Sequence, residues 1–347
     1  MKQKIRYGYR LEKKLSESKS LKFYFSIKEV LIKKKKLEQL IKKKTRKLLI
    51  LLTSDLNLYT DYIKNSKRQI IIFHLSDEAY NFSYANIYKN KNIKFIVRNY
   101  KIFPLNFLIK SLLKWPSVTI NWIYFYWFYN IKNSNITINE NLRHLRYIIF
   151  SIKILLKQII FSYFIRKIEK KIIYAPLNEA NFFKLIKNNK TKKKYTISFS
   201  GSLHSSERKK VYLVAKEMGF SNGYTGWGGN SKNSLSSNAY IKMLKNSNYS
   251  LCPAGTSNIE TFRFYEIIKS GSLPIIPKET PFQPFAYYSK IYDIDQRIVV
   301  DLYNNFNIKN IIKSISVKDY YLILKNLIRS IELKNKKVKD LLNDNYV

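Results

Sequence analysis

Cysteine occurs once in the 347 residues, as Cys252, so an intramolecular disulfide is impossible and a thiolate metal cluster is excluded. Histidine is almost as scarce, and His74, His144 and His204 lie far apart with no ligand spacing between them. Glycine and proline are few, 9 and 8, and no long Pro/Gly/Ser tract breaks the chain, which argues against extended disorder. Acidic residues are few as well, 23 against 64 Lys and Arg. The N-terminal MKQKIRYGYRLEKKLSESKS has neither the apolar core and cleavage site of a secretory signal nor an anchor of ~20 apolar residues. A reducing, cytoplasmic setting is the expectation, with peripheral attachment to a membrane compatible with it.

What is present in excess is positive charge and aromatic surface. A net charge of +41 together with 28 tyrosines invites polyanionic partners, nucleic acid or an anionic membrane. The favoured Lys, Ile, Asn, Tyr and Phe are also residues with A/T-rich codons, so genome composition accounts for part of the excess. No RNP-type aromatic motif, zinc site or glycine-flanked KH loop accompanies the charge, and nucleic acid is not expected as a partner.

Apolar periodicity alternates between strand and helix, the pattern of α/β layers with mainly parallel sheets. Residues 22–44 read as a basic amphipathic helix. Lys47–Leu52, Gln69–His74 and Ile93–Val97 are short apolar runs ending in polar residues, as strands of an open sheet do. Ligands collect beyond such ends, which places Asp77 and Glu78 toward a cleft. Between 103 and 170 the pattern becomes helical, aromatic and basic. Ser117–Ile131 is too short to span a membrane, and Tyr147–Ile165 carries Lys153 and Lys157. Both segments suit either a domain core or an in-plane amphipathic contact with a bilayer.

The second half restarts with a strand at Tyr195–Phe199, a helix at Ser206–Met218 and a loop spanning GFSNGYTGWGGNSKNSLSS. A helix over 237–246, capped by Ser236 or Ser237, precedes a strand at Tyr249–Cys252. A helix over 259–269 stops at Ser270-Gly271, and Leu273–Ile276 forms the next strand. One more strand, at 296–301, and two helices complete the chain. The expected division is 1–190, containing the helical 103–170 insertion, and 191–347.

The second half is also where chemistry concentrates. Gly201 and Ser202 sit at a strand–helix junction, where backbone can approach a ligand closely and a helix start attracts phosphate. Arg208, early in the next helix, can reach a diphosphate with a guanidinium fork. Glu260 and Thr261 open the helix that carries Arg263 and Glu266 three residues apart on one face, the first suited to phosphate and the second to a ribose diol. An intrahelical ion pair, worth only ~0.2–0.5 kcal/mol, is the alternative for the last two. His204 could donate to phosphate or simply lie at the surface. Asp293-Ile-Asp295 is a D-x-D, read here as a loop coincidence, so no metal ligand is assigned.

The ordered combination is more specific than its parts. Tyr240-Ile-Lys-Met-Leu-Lys-Asn-Ser-Asn-Tyr-Ser-Leu-Cys-Pro-Ala-Gly, then Thr261-Phe-Arg-Phe-Tyr-Glu, then Gly271-Ser-Leu-Pro-Ile-Ile, resembles the exostosin family of glycosyltransferases over roughly residues 195–280. Tyr249, Thr261 and Ile267 depart from the family's Phe, Ser and Ala. Phe73-His-Leu-Ser-Asp-Glu78, Val97-Arg-Asn-Tyr100 and Ala175-Pro-Leu-Asn178 are similar, more weakly, to segments of microbial exostosin-like proteins.

The resemblance implies a GT-B fold of two Rossmann-like domains facing a cleft, a nucleotide-sugar co-substrate (UDP-linked by family expectation), and inverting transfer without an obligatory metal or other cofactor. It implies donor binding by Gly201, Ser202, Arg208, Glu260, Thr261, Arg263 and Glu266. Asp77 and Glu78 are then the candidate bases, with a solvated loop or helix cap as the alternative for both. The acceptor is expected to be a glycan or a lipid-linked sugar. The competing function is a basic membrane-surface or nucleic-acid-binding protein without catalysis.

Overall fold

The computed structural model describes residues 48–53, 56–67, 69–74, 83–99, 102–132, 138–176, 193–203, 206–224, 233–253, 261–277, 294–300 and 308–346. The expected helix over 22–44, and Asp77, Glu78, His204, Glu260 and Asp293, fall outside them. The chain divides into two compact units, one of residues 1–108, 156–180 and 331–347, the other of 109–155 and 181–330. Each is α/β, with parallel strands throughout the described sheets.

In the first unit β1 (Leu48–Thr53), β2 (Gln69–His74), β3 (Ile93–Arg98) and β4 (Ile172–Tyr174) lie side by side in that order. In β2 every residue after Gln69 is buried, as a continuous β-branched and aromatic run requires when both faces of a sheet are covered. Short helices α1 (Thr60–Asn65) and α2 (Ser83–Tyr88) fill the first two crossovers. Asn92 ties the first of these down, its side-chain amide donating to the carbonyls of Ile63 and Ser66.

Two long helices occupy the chain between β3 and β4: α3 (Leu105–Lys132), with Pro116 inside it, and α4 (Ile138–Ile165), continued by a 3-10 segment, Arg166–Lys171. Trp115 on α3 donates its indole N–H to Ser151 Oγ on α4 at 3.3 Å. The aromatic run 117–131 is thus the C-terminal part of a longer helix. Ile148–Lys171 is long and apolar enough to cross a membrane by length and composition alone, with a mean hydropathy of 1.8, as core helices of soluble proteins also are.

The second unit holds a five-stranded sheet: β5 (Tyr195–Ser202), β6 (Gly219–Tyr224), β7 (Ser247–Leu251), β8 (Leu273–Pro277) and β9 (Val299–Val300), ordered β6-β5-β7-β8-β9. α5 (Ser206–Met218), α6 (Ser237–Lys245) and α7 (Phe262–Lys269) connect the strands, and α8 (Ile308–Ser314) and α9 (Val317–Tyr346) follow them. Ser236 is the cap of α6, its hydroxyl accepting from the Ala239 N–H. Gly271, at φ +75°, ends α7 in the left-handed conformation that glycine adopts without strain.

One element differs in kind from its sequence reading. Gly219–Tyr224, expected as loop from its Gly, Asn and Ser content, is strand β6, paired with β5 from Ile197/Gly219 to Ser202/Tyr224. Gly219 has a packing reason to be there: a Cβ at that position would run into the carbonyl of Ile197. The pairing with β5 outweighs the low strand propensity of GFSNGY.

The N-terminal end of this sheet is fastened by a lysine. Lys193 Nζ donates to the carbonyls of Ser247 and Gly271 and to the Tyr320 hydroxyl of α9. The Tyr320 hydroxyl in turn lies 2.8 Å from each of the Asn248 and Gly271 carbonyls, which share its single proton. Burial pulls the Lys193 ammonium down from its ordinary 10.5 to about 8.

Candidate functional site

The strand order of the second sheet creates a reversal. The chain leaves β5 to form β6 on one side and leaves β7 to form β8 on the other, so these two crossovers diverge beyond the C-terminal ends of β5 and β7. A crevice opens at such a point, and ligands of open α/β sheets bind there. Gly201 and Ser202 are the last two residues of β5 and both are buried.

Two guanidinium groups converge on Gly201. A Cβ built there would lie 2.5 Å from Arg263 Nη2 and 3.4 Å from Arg208 Nη1. Arg263 comes from the first turn of α7 and reaches back across the sheet to donate to the Ser200 carbonyl at 2.7 Å. Its guanidinium lies over the Phe199 ring, 5.1 Å from the centroid. Arg208, from the first turn of α5, is buried and donates to the Ser202 carbonyl at 3.4 Å. The missing side chain of Gly201 is therefore filled by arginine, a role its place at the junction did not reveal.

Glu266 follows Arg263 by one helical turn and is 5% exposed, a burial that a carboxylate tolerates only beside positive charge or hydrogen-bond donors. Tyr240, on α6, hydrogen-bonds to both Glu266 and Arg263. Burial first, and the neighbouring Glu266 second, raise the Tyr240 phenol well above its ordinary value, so it stays a neutral donor. Burial works against the charge on Arg263, but Tyr240, Cys252 and Glu266 around it outweigh that and hold it above its usual range. Arg263 Nε is buried and makes no hydrogen bond. Among the described residues of this cluster there are thus two fixed cations and one carboxylate, an arrangement with positive charge left over for an anion.

Of the residues singled out from sequence, Gly201, Ser202, Arg208, Arg263 and Glu266 are brought together. Thr261 stands at the N-cap position of α7, where its side chain makes no capping hydrogen bond, and its hydroxyl lies 3.8 Å from Cys252 Sγ. In the sequence Tyr240 only opens a motif. Its function as the link between Arg263 and Glu266 had no signal beyond a tyrosine at the buried side of an amphipathic helix. Asp295 of the D-x-D caps the 3-10 turn Gln296–Ile298 and pairs with Arg297 at 2.7 Å, which draws its carboxyl below the ordinary range.

The first unit has its own polar row. Thr53, His74, Arg98 and Tyr174 are register partners at the C-terminal ends of β1 to β4. His74 is buried, with Nδ1 2.7 Å from the Tyr88 hydroxyl, and Arg98 is buried with its guanidinium 5.4 Å from the Phe161 centroid. The Tyr174 hydroxyl bonds the backbone of Ile102, and burial pushes it up to about 12. The segment Val97-Arg-Asn-Tyr100 carries no sequence signal that Arg98 is enclosed.

Residues 179–284 match the family model described as the RXYLT1 C-terminal domain, a xylosyltransferase-related glycosyltransferase family. The match contains β5 through β8 and with them the whole Gly201–Arg208–Tyr240–Arg263–Glu266 cluster. It covers under a third of the chain. No curated protein matches.

Proposed function

We propose that this protein is a glycosyltransferase that takes its sugar from a nucleoside-diphosphate donor, with a UDP-sugar the expected one, bound beyond the C-terminal ends of β5 and β7. The observation that carries this reading is the pair of guanidinium groups gathered on Gly201 at the strand-order reversal, inside the segment matched by a glycosyltransferase family. A diphosphate is the ligand such a pair suits, because two forks can neutralise two phosphates with directional hydrogen bonds. Glu266 is assigned to the ribose hydroxyls, and Ser202, Glu260 and Thr261 to the rim of the donor site. The exostosin type, the GT-B arrangement and the metal-independent, inverting course belong to this proposal on the strength of the sequence motifs.

In the proposed reaction an acceptor hydroxyl of a glycan attacks the anomeric carbon. The bond from that carbon to the β-phosphate oxygen breaks, and the nucleoside diphosphate leaves with the electron pair. Negative charge grows on the departing oxygen as this happens, and Arg208 and Arg263, already fixed, stabilise it without reorganising. The acceptor proton passes to a carboxylate, for which Asp77 and Glu78 are proposed.

Calorimetry with UDP, GDP and ADP tests the donor half directly. Selective binding of one nucleotide by the wild type, weakened by Arg208→Gln, is the expected result. Absence of binding by folded protein to all three sinks the proposal.

A further inference from the structure

Helices α3 and α4 carry apolar side chains on both sides. On α3 the buried side holds Leu108, Ser111 and Thr119, while Ile109, Leu113, Ile120 and Tyr124 recur at four, seven and four residues on the opposite side. Their exposures are 42%, 76%, 64% and 63%. On α4 the buried side holds Ile154, Leu155, Gln158 and Phe161, while Ile149, Leu156, Ile160 and Tyr163 form an exposed row at helical spacing. A helix of a water-soluble domain has no reason to repeat its apolar stripe on its solvent side.

Basic residues border each row. Lys110 and Lys114 flank the α3 stripe, and Arg146, Lys153 and Lys157, at spacings of seven and four, run alongside the α4 stripe. No Asp or Glu occurs anywhere in 105–139 or 141–168. An outward row of Leu, Ile and Tyr with only cations beside it is the chemistry of an interfacial helix: apolar side chains enter the acyl boundary and long basic ones reach lipid phosphates. A protein partner would need to be apolar and strongly acidic together, whereas an anionic bilayer supplies both properties in one surface.

We propose that the exposed apolar rows of α3 and α4, with the cations beside them, bind the surface of an anionic membrane. Spanning is the less suitable use of α4. One side of it is packed against protein, 44% of its apolar window is buried, and Lys153 and Lys157 would sit deep in hydrocarbon. The proposal stands apart from the donor site, and either can fail alone. Where both hold, the enzyme works on acceptors displayed at a membrane, such as lipid-linked sugars.

The test is flotation of the full-length protein with phosphatidylcholine vesicles, with and without about 30% phosphatidylglycerol. Binding is expected only to the anionic vesicles, and it should weaken steeply at about 0.5 M salt. The triple variant Lys110→Gln, Lys114→Gln, Lys153→Gln should bind roughly a hundredfold more weakly. Leu113→Asp with Ile120→Asp, and separately Ile149→Asp with Ile160→Asp, should abolish flotation while circular dichroism and nucleotide binding stay those of the wild type, since all four side chains are exposed. Folded wild type that ignores anionic vesicles overturns the proposal. So does flotation equal to wild type in every variant, or protein that resists extraction by alkaline carbonate as a spanning protein does. Light scattering that shows a dimer, split by the same Asp variants, assigns the faces to a second copy instead.

Discussion

Gly201→Ala is the smallest change that probes the arginine cluster. The added methyl would stand 2.5 Å from Arg263 Nη2, closer than any real contact, and 3.2 Å from Phe199 Cζ. Gly201 does not have a positive φ, so backbone strain contributes nothing and the whole effect is steric. The guanidinium is the mobile partner and must move. Moving it weakens the 2.7 Å bond to the Ser200 carbonyl, about 1.5–3 kcal/mol for a charged donor, and the stacking on Phe199, about 0.5–2 kcal/mol. Partial relaxation brings the expected loss of unfolding free energy to about 2–3 kcal/mol, read from urea denaturation midpoints. A double-mutant cycle then isolates the cause. Arg263→Ala is itself costly, about 3–5 kcal/mol, because Glu266 is left buried beside less positive charge. In that background the methyl has room, so adding Gly201→Ala should cost under about 0.5 kcal/mol. If Gly201→Ala is as stable as wild type, or equally damaging with and without Arg263, the packing of guanidinium on glycine is wrong.

Further expectations follow from neighbouring features. Tyr240→Phe removes the hydroxyl shared by Arg263 and Glu266 and should lower stability by about 1–3 kcal/mol in urea, with a weaker nucleotide affinity in calorimetry. Arg208→Lys keeps the charge but loses the fork, and should weaken nucleoside-diphosphate binding by roughly tenfold while leaving the urea midpoint nearly unchanged. Lys193 has a folded pKa of about 8 against 10.5 unfolded, so between those values the unfolded chain holds the extra proton and stability contributed by this group rises with pH. Wild type minus Lys193→Met, followed by denaturation from pH 7 to pH 10.5, should show that rising slope. A flat difference would mean the ammonium is not desolvated.

Where the sequence was informative, it was so through long apolar runs and strong punctuation. Gln69–His74 and Ser206–Met218 have the boundaries that pattern alone implies, and Gly271 ends α7 where a terminating glycine was expected. β6 was illegible because its six residues have poor strand propensity, and only the edge of β5, distant in sequence, gives them hydrogen-bond partners. The site divided in the same way. That Arg263 and Glu266 share a helix face was legible because one helical turn separates them, a local fact. Tyr240 belongs to another helix, and the approach of Arg263 to Gly201 spans 62 positions of chain, so neither contact has a local signature. Arg98 shows the converse: its neighbours are apolar and predict a strand, but nothing in them announces that a charged side chain will be enclosed.

Cys252 follows β7 directly and is completely buried, with Arg263 among its electrostatic neighbours. As the chain's sole thiol, it turns the protein into its own clock. A thiol reagent in solution can reach Sγ only when the structure around it opens, so the labelling rate measures how often the end of β7 becomes accessible. Slower labelling with a nucleotide bound would report how far the ligand suppresses that opening.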